Sequence, residues 1–197
     1  MPRNIDNLSE AISAVQRFTA VLENDYTDLE GWAPDSAVEW LTEKRLSRMN
    51  SLAKNLSYTL NSELADSDLL KGRLILAWSH LGSLAEMSLQ VMLGLFYENF
   101  EEESYRPTYR GRELELDEIN FFKLLKFLET TNFWDDDEKD YWINWLHNLR
   151  KYRNSIHAFV DKDLGTWEMV QEYTLILGTM LKNFHHRLPP VPSEYGF

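Results

Sequence analysis

The stretch LLKGRLILAWSHLGSLAEMSLQVMLGLFY, residues 69–97, decides the fold class. It is almost continuously apolar and long enough to imitate a membrane span. However, His80, Glu86 and Gln90 lie at its middle, where a bilayer would penalise the glutamate by roughly 2–3 kcal/mol or more. We therefore predict a helix from about residue 69 to 100 that is buried on nearly all sides at the centre of a helical domain.

Two helices are predicted before this stretch. Asp6 or Asn7 can cap the first one, along which apolar residues recur at helical spacing: Leu8, Ile12, Val15, Phe18 and Leu22. A second helix is predicted from Asp35 or Ser36 to about Leu60.

Three further helices are predicted after it. Residues 101–118 are polar and contain Pro and Gly, so we expect a loop with a short hairpin. Asp117 should cap the next helix. Another should begin in the acidic run 135–140 and end near Phe159. The last has its apolar residues in helical register: Trp167, Val170, Tyr173, Leu177, Leu181 and Phe184.

The fold class predicted from these patterns is all-α, a bundle of five or six helices. The 197 residues are enough for one domain with a core of its own. We expect a single domain over 1–197, in which the N-terminal helices of 1–62 pack on a core of 69–187 and a Pro-rich tail occupies 188–197.

Composition excludes several classes of site. The chain has no cysteine, which rules out disulfides, thiolate metal sites and cysteine nucleophiles and fits a reducing compartment. The beginning of the sequence lacks the apolar core of a signal peptide. We therefore expect a cytoplasmic protein without a membrane partner. Aromatic residues make up 13% of the chain, a level that favours an oligomer interface.

The charge distribution is uneven. A net charge of −12 argues against a general nucleic-acid coat, because phosphate binding relies on accumulated Lys and Arg. Cations nevertheless gather in two basic islands, which are Arg106, Arg110 and Arg112, and Arg150, Lys151 and Arg153. A local basic cleft is compatible with this pattern.

The stretch HNLRKYRNSIHAF, residues 147–159, is the candidate site. On a continuous helix, Arg150 and His157 lie within about 20° of the same azimuth, with Asn154 between them. A histidine that exchanges a proton near neutral pH, beside guanidinium and amide donors, suits attack of a ribose hydroxyl on the adjacent phosphodiester. The alternative is a set of structural cations at the negative end of a helix dipole.

A buried partner for this stretch is predicted at Glu86. A carboxylate in an otherwise apolar helix is costly unless it is paired, so Arg150 or Arg153 should reach it. Such a pair can orient a catalytic arginine or complete a structural network. His80 is predicted to be a hydrogen-bonded core histidine.

Other polar and small residues have structural interpretations. The acidic run 135–140 suits a solvated helix N-terminus, and His185 and His186 suit a helix C-terminus. Gly82 and Gly94 should allow close approach of another helix. The sequence predicts no cofactor and no metal ligands.

The segment LRKYRNSIHAF is similar to the signature region of the HEPN superfamily, which carries an Arg and a His separated by four to six residues, often with Asn after an Arg. AWSHLGSLAEMSLQVMLGLFY resembles the long earlier helix of that superfamily, and RNSIHAF is similar to the "RRNAIHAF"-type motifs of a group of bacterial HEPN-like proteins. The resemblance covers about residues 70–185. Its specific part is the eight residues from Arg150 to His157.

The resemblance implies an HEPN-like all-α bundle and a homodimer that brings two motifs together. Many members of the superfamily are metal-independent RNases in phage defence or toxin–antitoxin systems, and other members bind RNA or protein without catalysis. The resemblance therefore implies one of these activities. Arg150, Asn154 and His157 would be catalytic, with Arg153 and Glu86 in support. Arg150 and His157 have the longest spacing that the superfamily motif allows. Arg153 lies one residue closer to His157 than the motif requires. RNA, an antitoxin or another protein are the implied partners, and DNA is not expected.

Overall fold

The computed structural model describes residues 5–27, 38, 41–61, 67–96, 107–114, 118–156 and 163–191. The elements with described bounds are α1 (Leu8–Asp25), α2 (Glu43–Asn61), α3 (Ser67–Leu95), β1 (Thr108–Tyr109), β2 (Arg112–Glu113), α4 (Phe121–Thr130), α5 (Asp136–Arg153), a 3-10 turn (Asn154–Ile156) and α6 (Trp167–Arg187). The predicted all-α fold class is confirmed. The short hairpin predicted within residues 101–118 is also present, as the antiparallel pair β1–β2.

Helix α1 begins where its sequence predicts. Asn7 is the N-cap, and its side chain accepts hydrogen bonds from the amides of Ser9 at 2.8 Å and Glu10 at 3.2 Å. The apolar positions Ile12, Val15, Phe18 and Leu22 of the predicted pattern are all buried. The predicted apolar positions of α6 are also buried, except for the partly buried Tyr173, and Thr166 caps the N-terminus of this helix.

The predicted second helix is not continuous. Leu41 lies in a bend, and α2 begins only at Glu43, so the prediction of one helix from Asp35 or Ser36 is wrong at residues 41 and 42; Asp35 and Ser36 themselves lie outside the described residues. The Leu41 side chain is 2% exposed. Burial of this leucine in the core takes the chain out of a straight helical path.

Helix α4 starts later than its sequence suggested. Its N-cap is Asn120, whose side chain accepts a hydrogen bond from the Lys123 amide at 3.1 Å. Asp117, the predicted cap, lies outside the described residues, and Ile119 and Asn120 are not helical. The start of α4 is therefore set by the side-chain cap of Asn120, one position before the apolar run.

Helix α5 ends at Arg153, although its sequence predicted an end near Phe159. The next three residues form a tighter 3-10 turn. The Ser155 hydroxyl donates a hydrogen bond to the Tyr152 carbonyl at 2.5 Å, a local bond that competes with helix continuation. The inference that Arg150 and His157 share one helical azimuth therefore loses its basis.

Helix α3 is the central element. It contacts α2, α5 and α6, and residues such as Trp78, Leu84 and Met92 are fully buried. Its ends differ from the prediction: it spans residues 67–95, and Leu69 and Leu76 are 61% and 64% exposed. Burial on nearly all sides thus applies to the part of α3 from about Ala77 onward. No described helix has the length and apolar character that crossing a bilayer requires.

The glycines of α3 differ in the space that surrounds them. A Cβ atom added to Gly82 would lie 2.6–2.8 Å from the Cβ, Cγ and Cδ atoms of Arg153, so Gly82 does allow close approach of α5. The described residues do not support the same interpretation of Gly94, because a Cβ atom there would meet none of their atoms within 4 Å. Gly72 has equally open surroundings among the described residues.

Gly82→Ala should therefore lower the free energy of unfolding by about 1–3 kcal/mol, because the added methyl overpacks against the base of the Arg153 side chain. Gly72→Ala is the matched control on the same helix and should raise that free energy by up to about 1 kcal/mol through helix propensity. Urea denaturation of the two variants measures both effects. Equal stabilities of the two variants would contradict the close packing at Gly82.

Candidate functional site

Glu86 forms an ion pair with Arg153. Their Oε2 and Nη2 atoms are 2.5 Å apart, and the side chains are 13% and 30% exposed, respectively. Of the two arginines that the sequence left open as partners of Glu86, the structure selects Arg153. The pair joins the middle of α3 to the last residue of α5.

The N-terminus of α4 completes this contact. The Phe121 amide hydrogen-bonds to the Glu86 carboxylate, which places a negative charge at the positive end of the α4 dipole. The Arg153 guanidinium lies 5.7 Å from the centroid of the Phe121 ring. Burial raises the pKa of Glu86, while the charge of Arg153 and the Phe121 amide lower it in part. Glu86 thus ties three helices together at the cost of desolvation.

Arg150 has a different environment. Its guanidinium carbon lies 4.7 Å from the centroid of the Phe122 ring, within the range of a cation–π contact. Its Nε atom is buried and has no hydrogen-bond partner among the residues that the structure describes. The Arg150 residue also lines a cleft. Among the described residues, Arg150 is therefore held by an aromatic ring and not by a carboxylate.

This cleft has a volume of about 500 Å³ and lies at the end of α5. Its lining residues are Asn148, Arg150, Lys151, Tyr152, Asn154 and Asp163. Two cations and two amides face one carboxylate, and the Asp163 carboxylate already accepts a hydrogen bond from the Gly165 amide at 2.9 Å. The balance of charge favours an anionic ligand.

The wall of the cleft is anchored in the core. The Tyr152 ring stacks on Trp78 with centroids 4.4 Å apart, and the Trp78 indole donates a hydrogen bond to the Leu164 carbonyl at 2.7 Å. Burial, and to a smaller extent Asp163, raise the pKa of Tyr152. The end of α5 is thus fixed against both α3 and the segment that precedes α6.

The predicted site residues divide into two groups. Arg150 and Asn154 line the same cleft, whereas Arg153 pairs with Glu86. His157 lies outside the described residues, so the predicted catalytic set as a whole stays a prediction. Sequence reasoning missed Phe122, because a single apolar residue in the first turn of a helix gives no sign that its ring meets an arginine of another helix.

His80 is a core histidine, as predicted. It is 8% exposed, its Nε2 atom lies 2.7 Å from the Leu52 carbonyl, and its Nδ1 atom lies 2.9 Å from the Thr59 hydroxyl. Burial lowers the pKa of His80, and the bond to Leu52 raises it in part. Both ring nitrogens thus have partners within the fold.

Two further polar clusters lie at helix ends. Asp136 and Asp137 are exposed in the first turn of α5, where their charges complement the helix dipole. His185 and His186 lie in the last turn of α6, and burial lowers the pKa of His185. Among the described residues no three His, Asp or Glu side chains are grouped so that they could hold a metal ion.

Comparison with known proteins found no matching family model and no significant match among curated proteins or solved structures.

Removal of the Glu86 carboxylate should destabilise the fold. Glu86→Ala leaves a mostly buried Arg153 unpaired and should lower the free energy of unfolding by about 3 kcal/mol. This value is at the low end of the range for a broken buried ion pair, because Arg153 is partly solvated. Glu86→Gln should cost less, since the amide still accepts a hydrogen bond from Phe121.

The control for this prediction is Glu10→Ala, which removes an exposed ion pair with Lys182 at 3.3 Å and should cost less than about 1 kcal/mol. Chemical denaturation of the three variants measures the series. A Glu86→Ala protein as stable as Glu10→Ala would contradict the structural importance of the buried pair.

Proposed function

We propose that the protein is an HEPN-like, metal-independent RNase, or an RNA-binding derivative of one, that acts in bacterial stress or phage defence. One observation supports this most strongly. Arg150 borders a basic cleft together with Asn154 and Lys151 and is not neutralised by any described carboxylate, while the neighbouring Arg153 is committed to Glu86.

The proposed reaction is transesterification of RNA. The ribose 2′-hydroxyl attacks the adjacent phosphorus and gives its proton to a base, and the 5′-oxygen of the next nucleotide leaves with a proton. His157 follows the 3-10 turn directly in the chain and is the proposed proton carrier. The products are a 2′,3′-cyclic phosphate and a free 5′-hydroxyl.

Arg150 and Asn154 would act on the phosphate. The guanidinium of Arg150 can stabilise the negative charge that develops on the phosphorane oxygens, and the Asn154 amide can orient them. Contact with Phe122 restricts the guanidinium in advance, which reduces the cost of ordering it when the substrate binds. Arg153 supports this arrangement indirectly, through Glu86.

Purified protein should cleave single-stranded RNA in the presence of EDTA and should spare DNA, which lacks the attacking hydroxyl. His157→Ala and Arg150→Ala should each lower the rate by about 10²-fold or more. Gel analysis of labelled RNA, with detection of the cyclic phosphate terminus, measures both points.

The matched control is Arg153→Lys. Lysine keeps a flexible aliphatic stem beside Gly82 and a cation for Glu86, so this variant should retain most of the cleavage rate at a temperature where it is folded. Cleavage that persists in His157→Ala would rule out the proposed chemistry. Loss of cleavage in Arg153→Lys, with Arg150→Ala unaffected, would reverse the assignment of the two arginines.

We also propose a homodimer with the Arg150–His157 region at or near its interface, since the resemblance implies two motifs brought together and aromatic content is high. Light scattering at micromolar concentration should give about twice the chain mass of 23.3 kDa. A single species at the monomer mass would count against the dimer.

The second candidate is a non-enzymatic interaction module that binds an antitoxin or another protein. The observation that favours it is the ion pair of Arg153 with Glu86, which uses part of the same polar stretch for the fold. A module of this kind would not cleave RNA in EDTA, and His157→Ala would change its partner binding or its stability.

A further inference from the structure

The exposed aromatic ring of Tyr109 has two cations close to it. Tyr109, in the hairpin, is 54% exposed. The Arg110 guanidinium carbon lies 5.2 Å from the centroid of its ring, and the Lys123 ammonium lies 5.0 Å from it. Lys123 also donates a hydrogen bond to the Thr108 carbonyl at 3.2 Å, which holds the hairpin against the start of α4.

A second exposed aromatic ring continues this arrangement. Phe122 precedes Lys123 in α4 and is 44% exposed, and Arg150 lies over its ring. We call the five residues Tyr109, Arg110, Phe122, Lys123 and Arg150 the aromatic–cation track. The track leads from the hairpin across the start of α4 to the cleft at the end of α5. It joins the two basic islands, which are far apart in the sequence.

The cations of the track are not neutralised within the described part of the chain. Neighbouring cations have carboxylate partners there: Arg112 pairs with Glu118 at 2.6 Å, and Lys126 pairs with Glu129 at 2.8 Å. In contrast, Arg110, Lys123 and Arg150 form no ion pair with a described carboxylate. In a chain of net charge −12, three cations without an ion pair to any described carboxylate, beside two exposed rings, suit a polyanion that carries aromatic groups.

We infer that the aromatic–cation track binds a single strand of RNA, with bases stacked on Tyr109 and Phe122 and phosphates beside Arg110, Lys123 and Arg150. The choice of RNA rests on the proposed function. A single strand is required, because in a duplex the faces of the bases are already stacked on one another. An acidic protein would satisfy the cations but would leave both rings unused. The track would guide the strand into the cleft that Arg150 and Asn154 line.

The test is fluorescence anisotropy with a labelled single-stranded 2′-O-methyl RNA, which keeps bases and phosphates but blocks the attacking hydroxyl. Tyr109→Leu and Phe122→Leu keep apolar bulk and remove the ring, and each should raise Kd by about tenfold. Tyr58→Leu is the matched control, because Tyr58 is 77% exposed on α2 and does not belong to the track. It should leave Kd unchanged.

The charge of the track is tested by salt dependence. Lys123→Ala or Arg110→Ala should each reduce the slope of log K against log salt by about 0.7, the value for one phosphate contact with a single strand. Lys126→Ala is the control, since Lys126 is already paired with Glu129, and should leave the slope unchanged. Thermal melting confirms that the variants are folded.

Three results would overturn the inference: absence of binding by the wild type, equal Kd values for the ring variants and Tyr58→Leu, or equal affinity for duplex RNA. Competition by polyglutamate as strong as that by unlabelled single-stranded RNA would overturn it in favour of an acidic protein. A different result is expected if only the proposed nuclease activity is wrong. The protein would then bind RNA in a way that depends on the two rings but would not cleave unmodified RNA. Cleavage with unchanged Kd and KM in the ring variants would refute the track alone.

Discussion

The buried ion pair of Glu86 with Arg153 is the interaction on which the rest of the structure depends. A carboxylate inside an apolar helix requires compensation, and it receives this from the last residue of α5 and from the first amide of α4. Gly82 permits the approach, because any side chain there would occupy the space of the Arg153 stem. Three helices are thereby fixed at one point. Arg150, one helical turn earlier, is consequently placed over Phe122 and beside the basic cleft.

The two arginines thus have different surroundings. Arg153 is largely buried, neutralised and engaged in packing, whereas Arg150 is held by an aromatic ring that leaves its charge unneutralised by the described residues. The proposed binding of an anion by an acidic chain rests on local electrostatics. Within the described ranges, carboxylates pair with Arg112, Lys126 and Arg153 and form no ion pair with the cations of the track.

Much of this fold could be predicted from the sequence because helical periodicity reports burial directly. The apolar registers of α1 and α6, the core position of His80 and the need of Glu86 for a partner are all of this kind. Helix ends were predicted less well, because the bend at Leu41 and the 3-10 turn after Arg153 depend on core burial and local hydrogen bonds. Sequence spacing could not choose between Arg150 and Arg153, since both lie near the same end of one helix. It also could not bring the hairpin next to α4, because that contact is tertiary.

A double-mutant cycle tests the separation of the two arginines most directly. Free energies of unfolding are measured for Glu86→Gln, for Arg153→Met and Arg150→Met, and for the two double variants. Since residues in one ion pair couple and separate residues add, Glu86 and Arg153 should show a coupling energy of at least about 1 kcal/mol, and Glu86 and Arg150 a value within about 0.5 kcal/mol of zero. Equal coupling to both arginines, or stronger coupling to Arg150, would contradict the assignment of Arg153 to the fold and of Arg150 to the site.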